Sequence, residues 1–357
     1  MDNIRVLVVD DSAFMRKLIT DFLEEDADIS VVGVARNGKD ALEKAKVLKP
    51  TVITMDVEMP VINGLDALQL IMKEVPTPVI MLSSTTKEGA ENTMMAMQHG
   101  AIDFIAKPSG TISLDLHKIK DELIEKVKLA SSVSMKNVSI KSYPKVESKS
   151  FTPRRQLSTQ HMSKQAKKLI CIGTSTGGPR ALQEVLASIP STVSAPIVIV
   201  QHMPPGFTKS LAVRLNSICS IEVKEAEDGD ILKNGCAYIA PGGFHMKITN
   251  SREAYAIKLD QIEPPRSGHR PSVDVMLESL LPFPELEKNV VIMTGMGSDG
   301  TKGLTDLKRG MHKVNAIAEA QETCIVFGMP KMAIASGNID TVLPLQEIGP
   351  KIMNLLP

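Results

Sequence analysis

Residues 168–182 read KLICIGTSTGGPRAL, and their pattern decides the fold class. An apolar run, Leu169 to Ile172, enters a cluster of Gly, Ser and Thr, and Pro179 stands where a helix would begin. Strand, tight turn and helix in that order form the βα unit of a parallel sheet. Such a turn can cradle a phosphate on backbone N–H groups. It can equally present a serine on a sharp elbow, since Gly173-Thr174-Ser175-Thr176-Gly177 fits G-x-S-x-G. The turn alone leaves both readings open.

The same unit recurs in both directions. Downstream, short apolar segments lie at 196–201 (PIVIVQ), 238–240 (YIA), 290–294 (VVIMT), 315–318 (NAIA) and 324–328 (CIVFG). Upstream they lie at 6–9, 30–35, 52–55, 78–83 and 103–106, separated by amphipathic stretches such as SAFMRKLITDFLEE, where Ser12 can cap the first turn. The last of these, 114–130, sets Ile119, Leu123 and Val127 on one helical face. Each set predicts a doubly wound parallel sheet with helices on both sides.

At 357 residues, two domains are expected. The segment between them, 131–168, carries nine Lys or Arg against the single acid Glu147 and shows no apolar period. It reads as a basic, flexible connection. The expected division is a first domain over 1–125, a polar linker over 126–166 and a second domain over 167–357.

Composition narrows the class. Lys+Arg and Asp+Glu both number 41, which argues against a nucleic-acid binder with a generally basic surface. An acid at position 2 followed directly by a strand is no secretory leader, and no apolar run approaches a membrane span. The cysteines Cys171, Cys219, Cys236 and Cys324 form no CxxC pair and read as reduced residues of a cytoplasmic protein.

In an open parallel sheet, ligands gather beyond the carboxyl ends of the strands. In the first half Asp10 and Asp11 follow VLVV, and Asp56 follows VITM. Three carboxylates at one rim need a cation, and hard oxygen donors suit Mg²⁺. Ser83 and Lys107 end the fourth and fifth strands and add a hydroxyl and an ammonium that can hold a phosphoryl group. The stretches VLVVDDS, ITMDVEMPVINGLDAL, MLSS and IDFIAKPS closely resemble a two-component response-regulator receiver, over roughly 1–125. That resemblance implies a flavodoxin-like fold with Asp56 as phosphoacceptor. It implies a Mg²⁺ site of Asp10, Asp11, Asp56 and the Glu58 backbone carbonyl, and phosphoryl contacts from Ser83 and Lys107.

In the second half Ser175, His202 and Asp299 each follow a strand, so a nucleophile, its base and an orienting acid can converge over one sheet edge. Their order, Ser–His–Asp, departs from the Ser–acid–His order of α/β-hydrolases. Two other readings compete. Gly295-Met296-Gly297-Ser298-Asp299-Gly300 is a formal G-x-G-x-x-G with Glu319 downstream, yet residues 301–357 are too few for a two-half dinucleotide domain. A DNA-binding output would be a compact helical module with a basic recognition helix, which this half does not resemble.

The stretches IGTSTGGPRAL, VIVQHMPPGFT, YIAPGGFHM, PSVDVM and VVIMTGMGSDGTKGL resemble the catalytic domain of the chemotaxis methylesterase family, CheB, over about 167–357. The resemblance implies hydrolysis of glutamate γ-methyl esters, and deamidation of glutamines, on methyl-accepting chemoreceptors, with a chemotaxis histidine kinase as phosphodonor. It makes Ser175 the nucleophile, His202 its base and Asp299 the orienting acid, and needs no cofactor for the ester chemistry. Thr176 and Met296 are the oxyanion-donor candidates. Phe244 and His245 either line a substrate groove or close the APGG turn.

Overall fold

The computed structural model describes residues 3–107, 114–133, 135, 166–251 and 254–356. The chain divides into two units. The first runs β1 (Ile4–Val9), α1 (Ala13–Glu24), β2 (Ile29–Ala35), α2 (Gly38–Leu48), β3 (Val52–Asp56), α3 (Gly64–Glu74), β4 (Val79–Ser83), α4 (Lys87–Gln98), β5 (Asp103–Ala106) and α5 (Leu114–Ser131). All of β3 and β4 is buried, as a parallel sheet covered on both faces requires. Local chemistry starts the helices. Ser12, Asn37, Asn63 and Thr86 each accept the backbone N–H three residues on. The strand order is β2-β1-β3-β4-β5, with each adjacent pair parallel. The order reverses between β1 and β3, and a crevice opens there at their carboxyl ends.

The second unit runs β6 (Lys168–Thr174), α6 (Gly178–Ala187), β7 (Ile197–Gln201), α7 (Phe207–Ile218), β8 (Glu222–Glu225), β9 (Cys236–Ile239), β10 (His245–Ser251), β11 (Ala254–Asp260) and α8 (Val273–Glu278). It continues through β12 (Glu287–Ile292), α9 (Thr301–Arg309), β13 (Val314–Glu319), α10 (Met329–Ala335), β14 (Thr341–Leu343) and α11 (Leu345–Asn354). Seven strands form a parallel sheet in the order β14-β13-β12-β6-β7-β9-β8. Here the winding reverses beside β6, which pairs with β12 on one side and β7 on the other. Beyond the sheet, β10 and β11 pair as an antiparallel hairpin, with Met246, Ile248, Tyr255 and Ile257 built into the hydrophobic core.

Several sequence expectations need correction. α5 continues to Ser131, so residues 126–131, assigned to the linker, are helical; the remainder of that segment lies largely outside the described residues. The apolar run 324–328 is no strand: Phe327 makes one isolated bridge to Gly295, and the run serves as a buried loop. The strands β8, β10, β11 and β14 are additions. His245 is fully buried, with Nε2 3.1 Å from the Pro264 carbonyl, so it braces a loop and lines no groove. Among the described residues no helix is long and apolar enough to cross a membrane.

Candidate active sites

In the first unit, β1 delivers Asp10 and Asp11 and β3 delivers Asp56 to the crevice where the strand order reverses. Asp10 and Asp56 are buried, Asp11 is exposed, and one carboxylate oxygen from each lies within 4.8 Å of the others. Lys107 follows β5 and reaches back, its Nζ 2.8 Å from both Asp10 Oδ2 and Asp56 Oδ2. Burial pushes the Asp56 carboxyl above the ordinary carboxylate range; the hydrogen bond and charge of Lys107 oppose this, and the negative charge of Asp10 adds to it. Burial pulls the Lys107 ammonium down, but the two carboxylates outweigh it and hold the group above its ordinary value.

One ammonium among three carboxylates leaves net negative charge, and an all-oxygen donor set of this size fits a hard divalent cation. The Glu58 N–H donates to Asp56 Oδ1 at 3.3 Å, so its peptide follows the same rim. Ser83 ends β4 as expected, but its hydroxyl donates to the Gly89 carbonyl of α4 at 3.0 Å.

In the second unit, register builds the site. Parallel pairing sets Thr174 of β6 beside Gln201 of β7, so the next residues, Ser175 and His202, leave the sheet side by side. The His202 N–H donates to Thr174 O at 3.2 Å, and Gln201 Nε2 donates to the carbonyls of Ser175 (3.0 Å) and His202 (3.2 Å). Asp299 arrives from the turn after β12. His202 Nε2 lies 2.8 Å from Asp299 Oδ2. The His202 side chain is only 5% exposed and that of Asp299 2%, whereas Ser175 is partly open to solvent.

Asp299 also accepts from Ser272 Oγ (2.8 Å), Val273 N (2.6 Å), Asp274 N (2.9 Å) and Gly300 N (3.1 Å). Burial alone would raise this carboxyl; the His202 hydrogen bond and charge, with the backbone donors, outweigh burial and hold it below the ordinary range. An ionised carboxylate only accepts, so His202 Nε2 is the donor in this bond. The ring's Nδ1 is buried without a hydrogen-bond partner.

The turn after β12 closes over the serine. A Cβ on Gly295 would lie 2.7 Å from Ser175 Cβ and 3.0 Å from Ser175 N, so only glycine lets the two turns approach this closely. Thr294 fastens the two turns together. Its carbonyl accepts from Ser175 N (3.0 Å) and Thr174 Oγ1 (2.9 Å), and its hydroxyl donates to Thr176 O at 2.9 Å. Buried Glu319 receives the Thr294 N–H at 2.8 Å, a bracing role in place of the ribose contact that the dinucleotide reading would give it.

The stretch PSVDVM, residues 271–276, carries no sign of its role in the sequence alone. Its Ser272 and the N–H groups of Val273 and Asp274 hold Asp299, while the Asp274 carboxylate accepts from Gly300 N (2.9 Å) and Gly303 N (2.7 Å).

Comparison with known proteins supplies the family. Residues 170–352 match the CheB methylesterase family model, and residues 6–117 match the response regulator receiver domain model. The chain is 54% identical over 356 residues to the protein-glutamate methylesterase/protein-glutamine glutaminase of Geobacillus kaustophilus strain HTA426, covering 100% of this chain and 99% of the relative. It is 49% identical to the protein of the same name from Bacillus subtilis strain 168, covering 98% and 97%. The crystal structure of the Thermotoga maritima CheB methylesterase catalytic domain superposes with a TM-score of 0.51 at 46% identity, covering 53% of this chain and 98% of that one. The two family models together, and relatives that match this chain from end to end, fix the assignment: the chain belongs to the CheB methylesterase family, a receiver-linked hydrolase.

Proposed function

We propose that Ser175, His202 and Asp299 form a catalytic triad that hydrolyses glutamate γ-methyl esters and deamidates glutamines on methyl-accepting chemoreceptors. The observation that carries this reading is the His202 ring. One nitrogen is tied to an anion, the other is buried without a hydrogen-bond partner, and strand register brings Ser175 and His202 off neighbouring strand ends. A serine hydroxyl is a weak nucleophile until such a base takes its proton. Catalytic hydrogen bonds are often long in a substrate-free enzyme and tighten in the complex, and this reading requires Ser175 Oγ to meet Nδ1 there.

The chemistry then follows. Ser175 Oγ bonds to the ester carbonyl carbon while its proton passes to His202 Nδ1, and Asp299 stabilises the imidazolium. The carbonyl oxygen takes up negative charge facing the backbone N–H groups of Thr176 and Met296. Collapse breaks the bond to the methoxy oxygen, which leaves as methanol with the Nδ1 proton. Water, deprotonated by the same nitrogen, then cleaves the acyl-serine to free glutamate. With a glutamine side chain the leaving group is ammonia.

The first unit is the input. Asp56 is the phosphoacceptor, a chemotaxis histidine kinase the donor, and Lys107 the cation that meets the phosphoryl oxygens. Asp10, Asp11, Asp56 and the Glu58 carbonyl would hold a Mg²⁺ ion, which would supply positive charge during phosphorylation. Ser83 meets the phosphoryl oxygens only by turning its hydroxyl away from Gly89 O.

The test of substrate class is mass spectrometry of chemoreceptor peptides after incubation of receptor-bearing membranes with the protein. Conversion of methyl-glutamate and glutamine to glutamate is expected at the receptor sites. Unchanged peptides after incubation with phosphorylated protein would overturn the proposal.

A further inference from the structure

The His202 ring is fastened along one edge only. Nε2 is bonded to Asp299, and Nδ1 has no partner. Rotation about the Cβ–Cγ bond of histidine is soft; the Asp299 bond opposes a half-turn, which would set Cε1 against the carboxylate, but one bond at one ring atom leaves smaller tilts of the plane free. Something other than the hydrogen bond has to hold the plane.

His269 lies flat over that ring, with centroids 4.0 Å apart and planes 7° from parallel. A tilt or flip of His202 would sweep through space that the second imidazole fills. The covering ring sits on an anchored loop. Arg266 and His269 exchange backbone hydrogen bonds of 2.9 Å, and the Arg266 guanidinium is bonded to Glu278 (2.9 Å) and Glu263 (2.8 Å). Gly243 N also donates to Arg270 O at 3.0 Å, tying the loop to the turn before β10.

We propose that His269 is a positioning residue: its flat stacking on His202 fixes the ring plane so that Nδ1 stays aimed at Ser175. The proposal rests on the triad reading above and goes beyond it by assigning the second histidine. Planarity is the property at work, and acid–base chemistry at His269 is not required.

The test uses the full-length protein and methanol release from methylated receptor membranes, with variants His269→Ala, His269→Leu and His269→Phe. The alanine and leucine variants should lose about ten- to a hundredfold in kcat with KM nearly unchanged, the scale expected from misplacing a catalytic group. Phenylalanine, flat but without nitrogen, should restore kcat to within about threefold of the parent, since only orientation was lost. Should the alanine variant fail to fold, the phenylalanine–leucine comparison still decides.

Imidazole ¹⁵N NMR gives a readout independent of turnover. The Nε2–H signal of His202, identified by its loss in His202→Ala, should persist with phenylalanine and broaden with alanine or leucine. Equal kcat for phenylalanine and leucine variants, or a change confined to KM, would overturn the proposal. If His269→Ala matches the parent while His202→Ala is inactive, the stacking role fails and the triad stands. If His202→Ala is active, the triad fails and the stacking role falls with it.

Discussion

Asp299 sits among donors only: one ring nitrogen, one hydroxyl and three backbone N–H groups point at its two oxygens. An asparagine there would aim its NH₂ at one of those donors and would lose the charge that supports the imidazolium. Asp299→Asn should therefore lower kcat by on the order of 10⁴ while folding is retained, measured as methanol release. Asp274 behaves oppositely. Burial raises its carboxyl to about 6, with the neighbouring Asp299 charge adding to the shift. A carboxyl whose folded pKa exceeds its unfolded value binds its proton more tightly in the native state, so its contribution to stability is lost as pH rises from about 4 to 6. Asparagine at 274 keeps the single oxygen that accepts from both Gly300 and Gly303. Asp274→Asn should match the parent in thermal stability near pH 4 and exceed it by about 1–3 kcal/mol above pH 6. A gap that grows toward acid would refute that assignment. Ser175, His202 and Asp299 were legible because each ends or closely follows an apolar strand. Ser272, Asp274 and His269 were not, because a loop and the first turn of the six-residue helix α8 carry them, too short for a period to show. They reach the site through packing: a Cβ on Gly173 would stand 2.6 Å from Val273, so β6 and α8 meet almost backbone to side chain.

At the scale of elements, α6 begins where the serine turn ends. Gly177, at φ 79°, turns the chain into α6, and Gly178 packs against the Gln201 side chain. A Cβ on Gly178 would lie 2.0 Å from Gln201 Oε1 and 2.5 Å from Thr174 Oγ1. Gln201 bridges the carbonyls of Ser175 and His202, so Gly178→Ala must displace the clamp between nucleophile and base. The expected cost is about 1–3 kcal/mol of stability from overpacking and about ten- to a hundredfold in kcat. Calorimetry together with turnover checks both, and a variant with unchanged kcat would remove Gln201 from the positioning network. The parallel strands were readable as unbroken apolar runs. The run 324–328 was equally apolar and misled: its buried face braces the serine turn, with Val326 N donating to Thr294 Oγ1 at 3.0 Å and Gly295 N donating to Val326 O at 3.0 Å. β8, GluValLysGlu in sequence, is too short and polar to signal itself; burial of Val223 and pairing along β9 secure it.

Over the whole molecule, two sheets of the same winding carry two different chemistries at the same topological place, the carboxyl ends beside the reversal of strand order. One crevice holds the acids proposed to take the phosphoryl group, and the other holds Ser175 and the histidine proposed as its base. Their presence on one chain predicts an esterase whose rate follows the phosphorylation of Asp56. Phosphorylation can shift activity only by the difference in phosphoryl stabilisation between less and more active states, and tenfold activation requires about 1.4 kcal/mol. The direct measurement is methanol release from methylated receptor membranes by the full-length protein, Asp56→Ala and Ser175→Ala, with and without acetyl phosphate and Mg²⁺. The parent should accelerate with phosphodonor, Asp56→Ala should hold its basal rate in both conditions, and Ser175→Ala should fall by several orders of magnitude, since triad members act as a unit. A Ser175→Ala protein retaining more than about a tenth of the parent rate would contradict the account.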